Sequence, residues 1–223
     1  MKSKKLIIFD LDGTLIDSAK DLALSINYML EQVGHQTFSE ETIDLWVGNG
    51  AQTLVKRALS GSETINENID EELFEKSLTI FLDYYKNNLC VKTAPYPHVE
   101  TTLKKLYSHG YYMAIVTNKP YDFVQPILKT LDIEKYFSYY IGGDSLSLKK
   151  PSPEPLLHVC QKLGISYKNS IMVGDSKNDI LAANAANMQS IAVSYGYNYG
   201  EDISMYNPDI TIDDFSDILG LMI

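Results

Sequence analysis

Two aspartates, Asp10 and Asp12, leave the apolar run LIIF (6–9) two positions apart, with Gly13 and Thr14 close behind. On an extended chain residues so spaced point the same way, so both carboxylates aim at one mouth while Gly13 permits a tight turn. A plain Asp-Gly turn explains the same residues equally well. A calcium loop does not: counted from Asp10 it needs glycine sixth and glutamate twelfth, where Leu15 and Asp21 stand. No GxxxxGK[ST] phosphate loop occurs either. Two more acids, Asp175 and Asp179, follow the run SIMVG (170–174). Ser176 and Asp179 have capping-box spacing, which accounts for Asp179 as well as a metal role does, whereas Asp175, ending a buried strand, fits a ligand better than a cap. Asp10, Asp12 and Asp175 make an all-oxygen donor set that suits Mg²⁺ and disfavours zinc. Carboxylates that close repel one another unless a cation sits among them.

Neutral donors and positive charge follow the other apolar runs. After YMAIV (112–116) come Thr117 and Asn118; after YYIGG (139–143) a loop ends at Lys149-Lys150-Pro151. Pro151 and Pro153 rigidify that approach, with Ser152 read as an N-cap and Pro153 as the first helical residue, which favours Lys150 over Lys149 as the site residue. Gly13, Thr117, Asn118 and Lys150 are the candidate phosphate contacts, because three acids, a divalent cation, a lysine and a Thr/Asn pair suit a phosphoryl group. None of the histidines (His35, His98, His109, His158) falls at an expected strand end, so an aspartate is left as the nucleophile. Asp10 would attack in line at phosphorus, Mg²⁺ and Lys150 would hold the equatorial oxygens, and Asp12 would protonate the leaving oxygen and then activate water.

These residues need a sheet whose strands all end at one crevice, since ligands of open α/β sheets bind beyond the carboxyl ends of the strands. Apolar runs at 4–9, 112–116, 139–143, 170–174 and 190–194, with a weaker one at 209–212, alternate with helical patterns. The expectation is an α/β fold with a doubly wound parallel sheet and helices on both faces. Residues 17–91 interrupt it with apolar residues at helical spacing: Leu22, Ile26, Met29, Leu30 and Val33, then Leu54, Val55 and Ala58, then Phe74, Leu78, Phe81, Leu82 and Tyr85. That segment reads as an all-helical cap domain inserted into a core made of 1–16 and 92–223. Ser18 with Asp21 has the form of a capping box, Ser39 before Glu40 and Glu41 marks a second helix start, and Pro95 and Pro97 mark the return to the sheet.

Composition sets the outer limits. With 223 residues and 45% hydrophobic content the chain can bury a substantial core. A formal net charge of −10 repels nucleic acid and anionic membranes, so neither is an expected partner. Cys90 and Cys160 form no CxxC pair and read as thiols in a reducing compartment, the cytoplasm. The apolar start is broken by Asp10 and is no signal peptide, and no run approaches the roughly 20 residues of a membrane span.

Four motifs in this order, DLDGT (10–14), TN (117–118), KP (150–151) and GDSKND (174–179), resemble the haloacid dehalogenase superfamily in its Mg²⁺-dependent phosphatase branch, which carries a helical cap after the first strand. The resemblance implies Asp10 as nucleophile, Asp12 as acid and base, Thr117 and Lys150 as phosphate ligands, and Asp175 as metal ligand with Asp179 supporting. The dehalogenating branch lacks the second aspartate and uses no metal, so Asp12 implies phosphate ester hydrolysis. WVGNGA (46–51), VTNKP (116–120), GGDSLSLKKPSPEPL (142–156) and SYGYNYGE (194–201) are similar to segments of the bacterial phosphoglycolate phosphatases, which implies a small anionic phosphomonoester as substrate. His98 departs from that pattern, where glycine is usual.

The insert begins and ends beside the proposed site, as a lid would. Gly48-Asn49-Gly50 reads either as a substrate-facing loop or as a plain turn between helices. Arg57, the only arginine, reads either as a clamp on a substrate carboxylate or as a solvated surface charge. Other substrates of the same chemistry, namely sugar phosphates, nucleotides, pyrophosphate or a phosphomutase substrate, stay open. A phospho-accepting signalling domain shares many of these residues but needs neither Asp12 nor an insert, and a catalytically dead binding protein leaves the intact acid pair without a purpose.

Overall fold

The computed structural model describes residues 1–223. The chain opens with β1 (Leu6–Phe9) and the short β2 (Ile16–Asp17), then runs through α1 (Ala19–Gln32), α2 (Glu40–Asp44), α3 (Ala51–Ser60) and α4 (Glu71–Asn87) to β3 (Ala94–Pro95). From there helices and strands alternate: α5 (Val99–Ser108), β4 (Tyr112–Val116), α6 (Tyr121–Thr130), β5 (Tyr139–Ile141) and α7 (Glu154–Leu163). The last part holds β6 (Ser170–Gly174), α8 (Lys177–Ala185), β7 (Gln189–Val193), β8 (Ile210–Ile212) and α9 (Asp217–Met222).

Every residue of β1 is fully buried, as a strand between two helical layers must be. Ile7 and Phe9 join a large core on one face, while Leu6 and Ile8 join a smaller one on the other. β4 divides in the same way, Met113 and Ile115 against Ala114 and Val116, because successive side chains of a strand point to opposite faces. α5, α6 and α9 cover the first face through Leu103, Val124 and Ile218; α7 and α8 cover the second through Leu156, Val159 and Ala183. The six-stranded sheet has the order β5-β4-β1-β6-β7-β8 and each pairing in it is parallel. The doubly wound α/β expectation stands, with the same six apolar runs as strands. Their ends differ slightly: Lys4 and Lys5 precede β1, and β5 stops before Gly142.

The helical segment predicted for 17–91 is present as α1 to α4, packed on the large core through Leu22, Ile26, Leu54, Phe74 and Phe81. The antiparallel pair β2–β3 joins its two ends, with Ile16 opposite Pro95. No helix is long and apolar enough to cross a membrane.

Two local expectations are corrected. Ser18 and Asp21 form no capping box: Ser18 Oγ donates to Asp12 Oδ1 at 2.6 Å, and Asp21 accepts from the Lys92 and Thr93 N–H groups and the Thr93 hydroxyl. Tertiary partners outcompete the local cap for both side chains. α7 starts one residue later than expected, with Pro153 at the N-cap and Ser152 Oγ accepting from Glu154 N at 3.2 Å. Ser39 does cap α2, accepting from Thr42 N.

Candidate active site

The strand order β5-β4-β1-β6 places Thr117, Asp10 and Asp175 at neighbouring strand ends, and the loop after β5 brings in Lys150. Lys150 is 2% exposed although lysine belongs on surfaces, so its burial must be offset by anionic partners. Its Nζ lies 2.9 Å from Asp10 Oδ1 and donates to Asp179 Oδ1 at 2.6 Å. Burial works against its charge, yet Asp10 and Asp179 together hold the ammonium above its ordinary pKa.

Asp10, Asp175 and Asp179 each offer a carboxylate oxygen within 4.8 Å of the other two. Burial pushes Asp10 up to about 7 against the pull of Lys150, and the charge of Asp179 pushes the same way. Burial, followed by the charges of Asp179 and Asp10, raises Asp175 well above the carboxylate range. One ammonium does not balance three such acids. Asp10 Oδ1 is buried without an aligned hydrogen-bond donor, Lys150 notwithstanding. An all-oxygen donor set with an orphaned oxygen and surplus negative charge fits a hard divalent cation.

Asp12, expected among the metal ligands, stands outside this trio. Its carboxylate turns to Lys119, whose Nζ donates to Oδ1 at 2.9 Å and to Oδ2 at 3.1 Å, and to the Ser18 hydroxyl. Lys119 is 5% exposed and was not singled out from the sequence. The signal was there: Lys119 follows Thr117 by two positions, the spacing that drew attention to Asp10 and Asp12. Asp179, expected in a supporting place, belongs to the trio, but its oxygens are committed. Oδ2 accepts from Ser176 N and Oγ, so the capping-box reading of this residue is also realised.

Asp175 is held by the Thr14 hydroxyl at 2.7 Å and the Tyr197 N–H at 2.7 Å. Gly13 makes room for it: with φ +85°, a Cβ there would come within 2.2 Å of Asp175 Oδ2. The Gly13 N–H donates to Ile16 O, so it offers a phosphate no donor and its place is steric. Thr117 is buried beside Asp10, its hydroxyl accepting from Lys119 N at 3.1 Å. The Asn118 amide donates to Gly48 O and Lys150 O, which spends its side chain on bracing the site rather than on a phosphate.

That bond to Gly48 is one of several tying the loop between α2 and α3 to the strand ends. Asn178 Nδ2 also donates to Gly48 O, Lys149 Nζ donates to Asn49 O at 2.6 Å, and Tyr199 Oη donates to Asn49 Oδ1 at 2.8 Å. Lys149, passed over for Lys150, therefore serves the same site from outside. Gly48 has φ +116°, and a Cβ there would come within 2.6 Å of Tyr199 Oη. Arg57 is partly buried and turned to this loop. It donates to Trp46 O at 2.7 Å and Asn49 Oδ1 at 3.0 Å and packs over the Tyr199 ring, stiffening the loop from behind.

Under the loop lies a partly open cavity. Asp10, Asp12, Thr117 and Lys119 form its floor, and Leu22, Val47, Leu54, Phe81, Tyr85 and Phe123 its walls.

Residues 7–193 match the family profile described as haloacid dehalogenase-like hydrolase. A phosphoglycolate phosphatase from Colwellia psychrerythraea is 48% identical over 219 residues, covering 98% of this chain and 97% of that protein. One from Psychrobacter arcticus is 47% identical over 221 residues, covering 99% and 96%. The crystal structure of a predicted phosphoglycolate phosphatase from Haemophilus somnus 129pt is similar with a TM-score of 0.93 at 44% identity, covering 99% of both chains.

Proposed function

This chain belongs to the haloacid dehalogenase-like hydrolases, and we propose that it is a Mg²⁺-dependent phosphatase that cleaves 2-phosphoglycolate to glycolate and phosphate. The observation that carries this reading is the cavity in which Asp10, flanked by Lys150, and Asp12, flanked by Lys119, share one floor. The relatives of 47–48% identity carry phosphoglycolate in their names, and a short ester would set its phosphoryl group at Asp10 with its other end among the cavity walls.

In the first step a carboxylate oxygen of Asp10 bonds to phosphorus, the ester P–O bond breaks, and the departing oxygen takes a proton from Asp12. In the second, Asp12 removes a proton from water, the water oxygen bonds to phosphorus, and the aspartyl P–O bond breaks to free phosphate and restore Asp10. Lys150 neutralises the phosphoryl oxygens, and Ser18 and Lys119 fix the direction of the Asp12 carboxylate. Asp10 and Asp175 would hold Mg²⁺, which supplies positive charge beside the phosphoryl group. Residues 17–91 act as a cap over the core of 1–16 and 92–223, excluding water from the aspartyl-phosphate until hydrolysis. Cys90 and Cys160 are free thiols, which suits a cytoplasmic enzyme.

The test is phosphate release from 2-phosphoglycolate beside sugar phosphates, nucleotides and pyrophosphate, with Mg²⁺ and with chelator. A chelator-sensitive preference for 2-phosphoglycolate is expected; preference for another ester overturns the substrate, and turnover unaffected by chelator overturns the metal. Asp10→Asn is expected to lower turnover at least ~10³-fold with circular dichroism unchanged. Retained activity would remove Asp10 from the nucleophilic role.

A further inference from the structure

Tyr85 on α4 is 1% exposed, lines the cavity, and its hydroxyl makes no hydrogen bond of ordinary length, facing only the Lys119 ammonium. A buried phenol normally finds one, so an orphaned hydroxyl on a cavity wall marks a place that a ligand completes. Its ring is fixed from two sides, stacked on Phe81 at 5.9 Å and edge-on to Phe123 at 5.1 Å, so the hydroxyl cannot swing away to find another partner. Lys119 Nζ lies 4.7 Å from the ring centroid, and Lys119 is the only cationic side chain lining the cavity. An ammonium has three protons, and Asp12 takes two of those of Lys119. The third proton of Lys119 faces the Tyr85 oxygen, which leaves the phenol's own proton as a donor on the α4 wall of the cavity.

We propose that Tyr85 is a specificity-determining residue, its hydroxyl donating to the carboxylate of the substrate beside Lys119 while the phosphoryl group lies at Asp10. The assignment rests on the phosphoglycolate reading and deepens it: the floor selects a phosphate monoester, and the α4 wall selects an anionic end two carbons away. Arg57, the residue that composition alone would nominate for a carboxylate, is spent on the loop.

The experiment compares kcat and KM of wild type and Tyr85→Phe on 2-phosphoglycolate and on ethyl phosphate, which has the same two carbons and no carboxylate. The variant removes only an unpartnered hydroxyl, so its melting temperature is expected to equal or exceed that of wild type. On 2-phosphoglycolate kcat/KM is expected to fall roughly 10- to 100-fold, chiefly through KM, the value of a hydrogen bond to a charged group, while ethyl phosphate turnover is unchanged. Equal losses on both substrates, no loss on either, or a lowered melting temperature would each overturn the assignment. Wild type without a preference for 2-phosphoglycolate over ethyl phosphate would overturn the substrate reading itself, and this assignment with it.

Discussion

At the scale of single residues the two lysines of the site are opposite cases of one rule, that a buried ammonium persists only where carboxylates surround it. Lys150 has Asp10 and Asp179, so the loss of either leaves the other. Lys119 has Asp12 alone. Removing one member of a buried pair leaves an uncompensated charge and costs ~3–5 kcal/mol, whereas replacing both is close to neutral. Lys119→Met is therefore expected to lower unfolding stability by about that amount, and Asp12→Asn in the same chain to recover most of it. Urea melts of the single and double variants measure this. Additive losses in the double variant would show that the two side chains stabilise the fold independently. The same pair explains what the sequence concealed. Asp12 has the residue type and spacing of a metal ligand, and what holds its carboxylate apart from the acid trio is a lysine 107 positions away. Tyr85 sits on the apolar stripe of its helix and differs from core phenylalanines by one hydroxyl, whose orphaned state only the packed structure reveals.

At the scale of elements α2 contains a liability in a useful place. Asp44 ends the helix, where the backbone carbonyls already carry partial negative charge, and its Oδ1 is buried without a partner. Burial first, then the charges of Glu40, Asp17 and Glu41, push its carboxyl up to about 6. A raised acid favours the folded state while it is protonated, so its contribution is present below about pH 4 and lost as pH rises through 6. Asp44→Asn is expected to raise the melting temperature at pH 7.5 by ~2 °C, the group being half-exposed and screened, and to change nothing at pH 4. A shift of equal size at both pH values would sink the electrostatic account. Element by element the fold was open to reading, because a strand buried on both faces is a continuous apolar run and the insert carries apolar residues at helical spacing in successive stretches. The misread caps share one cause. Ser18 and Asp21 have the spacing of a capping box, but each meets another partner, the first on Asp12 six residues earlier and the second on Lys92 and Thr93 at the far end of the insert.

At the scale of the whole molecule the acid trio links two separate strands, since Asp10 follows β1 and Asp175 follows β6, while Asp179 opens α8 behind them. Without a cation the fold must hold these buried carboxylates together against their mutual repulsion in a chain whose net charge is already −10. A divalent ion that binds only this folded arrangement stabilises the molecule by ~2.7 kcal/mol at a hundredfold excess over its dissociation constant. For a chain of this size that corresponds to a rise in melting temperature of ~5–10 °C. Titration with Mg²⁺ in the absence of any substrate is expected to show that rise, and chelator to reverse it. In Asp175→Asn the repulsion is lower and one ligand charge is gone, so the metal-free protein should melt at or above the wild-type temperature while its response to Mg²⁺ largely disappears. If Asp175→Asn responded to Mg²⁺ as wild type does, the ion would be binding elsewhere on the acidic surface and the trio would have to be read as a purely structural network around Lys150.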